Sequence, residues 1–524
     1  MKTYKDHLKS TLTIGETIDI NRKPVFRSSA VFPCMLGAGM NTKINFLGYW
    51  LLKRNIREIG ALITVRKDKG EILLRNYLLI DKTLSICLSL EELLKNHPET
   101  LEFYSLEIEI FSVVDMVFPY PAFVMTYESD HCVGSVHTTG RLYNDFEDKK
   151  LNEDIIVPEA GFDINLSEGL RPYIAFVNGA ESLNDAELEL SFRNSENEEL
   201  TERLYLGKIE AYETRMVNLW NKENTDFFKG DRGTVSIGHS FTGFFPRFMA
   251  GNMDMNKGIF SLTHTYYDTS KNSDDASYWT NSNTEELFDS SIYFPVLDAE
   301  RIKTELILYP IYSPCNLELK LTVFNALGKE LASVQDDLST ETKSGYRRID
   351  INHIMQKANL PKEDILKVFG CRIDFFSGGK IPVRLKFGLT VGNEDYNMMG
   401  ANICFNARVP NPNVFQKKGT FKWAPILNGG RSLVTIDNSS FEKDYQRQAA
   451  VNCEFWNHEG NSLKRAYTIE PNGFVVIDTA QDNELLEIGN NQPLWITMQS
   501  ENPHINAWYF EEHQSGIIGG DHSF

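Results

Sequence analysis

Nowhere in the sequence do about eighteen apolar residues follow one another, the length a membrane-spanning helix needs, so no membrane partner is expected. The opening stretch "MKTYKDHLKSTLTIGETIDINRKP" has no apolar run behind its lysines, which argues against Sec export. Positive charge is scarce. With 53 Lys and Arg against 72 Asp and Glu, the net charge is −19 at pH 7. Nucleic-acid binding depends on Lys and Arg displacing counterions from phosphates, so no nucleic-acid partner is expected either. Seven cysteines, at 34, 87, 132, 315, 371, 404 and 453, form an odd, scattered set without the two-residue spacing of a zinc knuckle. They read as reduced core thiols of a cytoplasmic protein rather than a disulfide frame. Also missing are a phosphate-cradling P-loop, a dinucleotide fingerprint behind a strand, a paired-histidine metalloprotease helix and a calcium loop.

What the chain does have is aromatic residues, 33 Phe and 21 Tyr, which favour pleated, half-buried surfaces, and a length too great for one core. It also repeats. "ALITVRKDKGEIL" from 61, "LELSFRNSENEEL" from 188, "LKLTVFNALGKEL" from 319 and "NCEFWNHEGNSL" from 452 each read as an alternating strand, a turn and a returning strand. Their turn residues Gly70, Asn197, Gly328 and Gly460 recur at intervals of about 130 residues, a domain-sized period. After each hairpin comes a strand that runs into a turn or short helix, then a further strand, a proline and a terminal strand.

The expected fold is therefore all-β: four tandem β-sandwich units of about 130 residues with a few short helices. The expected units span residues 1–150 (with an N-terminal extension), 151–290, 291–415 and 416–524. Helices are expected near 89, in "LSLEELLKN", and from 351, in "INHIMQKANLPKEDILKV", the second interrupted at Pro361. The polar stretches 144–161 and 269–286 read as linkers.

Gly238-His239-Ser240 in "VSIGHSFTG" imitates the start of a hydrolase nucleophile elbow. That elbow needs Gly two residues after the serine and then a helix, whereas Thr242 and "FFPRF" stand here. The repeat aligns His239 with Ile110, Phe375 and Met498, inward positions of ordinary strands, so a buried, hydrogen-bonded role is expected for it.

The terminal strands align as "HCVGSVHTTG" from 131, "GIFSLTHTYYD" from 258, "GANICFNARV" from 400 and "GIIGGDHSF" from 516, placing His137, His264, Asn406 and His522 on one recurring position. If the units pack about a pseudo-symmetric axis, the three histidines converge as imidazole ligands for a divalent metal such as zinc or iron, with a position left open to activate water. A structural role, capping a sandwich edge, is the plainer alternative. Glu128, Asp254, Asp395 and Glu511 precede the terminal strands and read as solvated turns.

Two functions from different classes follow. The leading one is an intracellular protein binding a ligand or protein partner across inter-unit clefts. A carbohydrate would suit the aromatic loop residues Tyr266, Tyr267, Tyr278 and Trp279, with Asn406 as a polar contact. The alternative is a metal-dependent enzyme built on His137, His264 and His522. An assembly subunit with covered strand edges is a third reading.

Overall fold

The computed structural model describes residues 25–116, 121–137, 140–142, 159–244, 247–267, 278–311, 315–338, 345–357, 366–383 and 385–524. The expected linkers lie largely outside the described residues, as does the segment around Pro361.

Each repeat is a sandwich built on eight strand positions, the eighth in the second unit being broken into Ile259–Phe260 and Thr263–His264. In the first, the strands are Phe26–Leu36, Asn41–Leu47, Ile59–Lys67, Ile72–Ile80, Ser85–Ser89, Glu102–Ser112, Val124–Glu128 and Val133–His137. One sheet orders them first, sixth, third, fourth; the other orders them fifth, second, seventh, eighth. The same two orders recur in the units whose first strands are Glu159–Asn165, Ser290–Asp298 and Thr420–Ile426. The second unit extends its first sheet with the short strand Tyr266–Tyr267. Alternation explains the sandwich: in the strand Ala449–Trp456, Ala449, Val451, Cys453 and Phe455 are buried and every second residue is not.

The four hairpins share one geometry. Gly70, Asn197, Gly328 and Gly460 all have positive φ, at 90°, 65°, 74° and 86°. Each donates its N–H to the carbonyl three residues earlier, on Lys67, Asn194, Asn325 and Asn457 respectively, at 2.9–3.2 Å. This is a type I turn closed by a left-handed residue, the geometry for which Gly and Asn are selected.

These turns also join the units. The first hairpin docks on the second unit, where Thr214 N–H donates to Asp68 O at 2.7 Å. The second meets the third, with the Asn197 amide filling the space a side chain at Gly345 would need. The third meets the fourth, where Phe474 N–H donates to Ala326 O at 3.1 Å. The fourth returns to the first, Ser85 N–H donating to Asn457 O at 3.0 Å. Head-to-tail contacts that return to their start make a closed ring, here within one chain.

A short helix follows the fifth strand in every unit: Leu90–Leu94, Lys222–Phe228, Ile351–Lys357 and Asn483–Gly489, the last after a 3-10 turn at Thr479–Gln481. Additional helices lie at Tyr49–Lys53 and Pro412–Phe415. The helix Tyr49–Lys53 fuses the first and fourth cores, since Tyr49 stacks on Trp423 with ring centroids 4.6 Å apart. Among the described residues no helix is long and apolar enough to cross a membrane, and the seven cysteines are free thiols.

Candidate metal centre

Around the ring axis the eighth strands of all four units pack on one another. Glycine permits the approach. A Cβ on Gly134 would lie 2.9 Å from the Leu262 Cβ of the second unit, and one on Gly519 would lie 2.7 Å from the Val133 carbonyl of the first. Because these strands run so close, their terminal side chains meet.

His137, His264 and His522, from the first, second and fourth units, come together there. The His137 ring centroid is 4.4 Å from that of His264 and 4.7 Å from that of His522. His264 Nδ1 lies 2.7 Å from Thr265 O, and His522 Nδ1 lies 3.0 Å from Ser523 O. A carbonyl can only accept, so in both rings Nδ1 carries the proton and Nε2 is left with a lone pair. His137 Nδ1 lies 2.8 Å from Asp521 Oδ2, which also accepts the His137 backbone N–H at 2.9 Å. All three imidazoles are thus held through Nδ1 on an oxygen, the arrangement that orients a ligating histidine.

The other nitrogens carry the chemistry. His137 Nε2 stands 3.0 Å from His264 Nε2. With the His264 proton committed to Thr265, this contact calls for a proton on His137 Nε2 or an ion bound by both rings. Burial, with Arg247 and His137 nearby, holds His264 well below the usual imidazole range. Burial likewise lowers His522 to about 4, although Asp521 pulls it the other way. Burial alone would raise the Asp521 carboxyl, yet His137 and His522 beside it keep it below its ordinary value. The site is therefore an ionised carboxylate among imidazoles, at least two of them neutral.

The ligand atoms of His137, Asp521 and His522 all lie within 4.8 Å of one another, a cluster consistent with a metal site. Asp521 takes the third place in this compact set, where sequence had put His264; His264 joins through His137. Asp521 was absent from the sequence-derived candidates although a signal existed. The residue before the recurring position is Val136, Thr263 and Phe405 in the other units, and only the fourth has an acid there.

The remaining candidates stand elsewhere. Asn406 lies exposed opposite Lys386. The hydroxyls of Thr42 and Thr304 make the same pair of bonds to the backbone of Met35 and Leu297, and registers counted from them give Cys404, two residues earlier, the place in the third unit that His137 has in the first. Tyr278 is buried with Lys380 Nζ 4.4 Å from its ring centroid, and Trp279 packs against the third core, so both rings are engaged in packing. Tyr266 and Tyr267 pair in register with Gly161 and Glu159, and their side chains lie outside the described residues.

His239 opposes Leu188 in an interior strand, as Ile110 opposes Ala61 and Phe375 opposes Leu319. Its ring packs against Phe241 and Phe248, with centroids 5.2 and 5.4 Å away, its Nδ1 accepts the Phe241 N–H, and Ser240 is exposed with no helix behind it. Burial lowers His239 to about 4. A folded-state value below the unfolded one leaves stability intact above about 6.5 and removes it as pH falls toward 4, by on the order of 2 kcal/mol. Melting curves across that window should show a shallower acid slope for His239→Phe than for the parent; equal slopes would remove His239 from the acid response. Ser240→Ala should change neither.

No family model and no curated protein matches the chain. Among solved structures, a β-glucuronidase of Bacteroides uniformis is 10% identical over 51% of this chain and 28% of its own, with a TM-score of 0.12. A β-glucuronidase from glycoside hydrolase family 2 is 10% identical over 47% and 25%, with a TM-score of 0.10. A tetra-tandem repeat in the extending region of a large adhesion protein is 9% identical over 88% and 90%, with a TM-score of 0.08. This chain thus spans about a quarter of the length of the two glucuronidases. At such scores the likenesses carry no argument about activity.

Proposed function

We propose that the chain is a metalloprotein of the metal-dependent enzyme class, with one divalent ion at the ring axis held by His137, His522 and Asp521, and with His264 against His137. The observation that carries this reading is the convergence of the His137, Asp521 and His522 ligand atoms, all within 4.8 Å of one another, in imidazoles whose Nδ1 positions are anchored on oxygen. Two imidazoles and a carboxylate are the donor set of catalytic zinc and of non-haem ferrous sites. The His522 side chain keeps 30% exposure, so one edge of the cluster reaches the surface. Bound zinc would bring a coordinated water to a pKa of about 7. The free thiols suit a reducing compartment, and we place the protein in the cytoplasm.

Cobalt(II) titration of the metal-free chain tests the reading. We expect visible d–d bands of a low-coordinate nitrogen and oxygen site that saturate at one equivalent. A spectrum indistinguishable from aqueous cobalt would overturn it.

A further inference from the structure

A second polar site lies away from the histidines, in a cavity of about 260 Å³ between the third and fourth units. Most polar groups on its wall are engaged: Ser291 Oγ bonds Asp374, and Ser440 Oγ bonds Glu442. Three are not. The Arg408 guanidinium, brought by the third unit, makes no hydrogen bond or ion pair with any described residue. From the fourth unit, the Asp437 carboxylate is 2% exposed and has the Trp508 indole beside it, but its Oδ2 has no partner, while the Asn506 amide, 7% exposed, makes no side-chain bond among the described residues. Leaving a buried carboxylate oxygen and a guanidinium unpaired is costly, and both line one space without reaching each other.

We propose that this inter-unit cleft binds a small hydroxylated carboxylate of the sugar-acid class, its carboxylate on Arg408 and its hydroxyls on Asp437 and Asn506. A guanidinium fork matches a carboxylate in two parallel bonds. A vicinal hydroxyl pair can donate to Asp437 and accept from the Asn506 amide. Burial raises Asp437 to about 7 despite Arg408 and Lys422 nearby, so near neutral pH it can also donate to a hydroxyl. Tyr293 and Phe441 offer apolar wall to the C–H face of a ring. The volume falls below the roughly 300 Å³ at which drug-sized pockets begin, so a single sugar ring fits and an oligosaccharide does not.

Calorimetric titration with D-glucuronate, D-glucose and L-glutamate tests this in the full chain. Glucuronate should bind at one equivalent, with glucose and glutamate each about tenfold weaker or more, since each lacks one half of the recognition. Arg408→Gln should cost glucuronate about tenfold or more in affinity. Val414→Trp, at the half-buried wall of the cavity, should block binding while leaving the melting temperature unchanged, so it decides the matter if Arg408→Gln does not fold. Equal binding of glucose, preference for glutamate, glucuronate binding indifferent to Val414→Trp, or no binding of glucuronate would each overturn the proposal.

Discussion

His137→Ala is expected to abolish stoichiometric metal binding and to lower stability by about 3–5 kcal/mol, the cost of leaving a buried carboxylate without its partner. His137 joins both halves of the cluster, standing 3.0 Å from His264 Nε2 and 2.8 Å from Asp521 Oδ2. Without the imidazole, the Asp521 carboxylate, whose side chain is 5% exposed, loses the group that holds it ionised. Asp521→Asn keeps the shape and removes the charge, and should weaken metal affinity by about 10–100-fold or more. Asn406→Ala, at an exposed strand end, should change stability by no more than about 0.5 kcal/mol and leave metal binding intact. Metal analysis after dialysis, with denaturant melts of the same samples, reads both quantities. Full metal retention by His137→Ala would remove this residue from the site.

The second large effect comes from a residue that touches no ion. Gly519→Val should destabilise the chain by about 1–3 kcal/mol, as overpacking a close contact does, and should reduce metal affinity as well. Its Cβ would press on the Val133 carbonyl at 2.7 Å and on Gly134 Cα at 3.3 Å, forcing the fourth and first terminal strands apart. His522 and His137 sit at the ends of those two strands. Chemical melts and cobalt titration measure the pair of effects. Unchanged affinity with lowered stability would mean that the cluster does not depend on the approach of the strands.

The repeat was legible because it is written in turn chemistry. Gly70, Asn197, Gly328 and Gly460 each supply the left-handed residue that closes one hairpin type, and spacing alone exposes the period. Two helices after the fifth strands were harder to see, because Lys222–Phe228 and Asn483–Gly489 are each only seven residues long and show too few turns for a helical period. Their signal lies instead in the caps: Asn221 forms a capping box with Asn224, and Asp482 accepts from Leu485 N–H. The histidines stood out because strand alignment puts them at one height. Asp521 did not, because the repeat compares equivalent positions and this acid has no counterpart in the other units. The pairing of hairpins into a ring left no local trace, since each turn reads alike whether its outer face meets solvent or the next unit. Unpaired groups such as Arg408 and Asp437 are likewise visible only when two units are seen together.

The central claim is that side chains from separate sandwiches, closed into a ring, hold one ion. X-ray absorption at the metal edge of the zinc-loaded chain tests it most directly. Nitrogen and oxygen scatterers are expected at about 2.0–2.1 Å with the outer-shell pattern of at least two imidazoles, lost in His137→Ala. Sulfur scatterers at about 2.3 Å, or a spectrum unchanged by His137→Ala, would place the ion elsewhere and contradict the account.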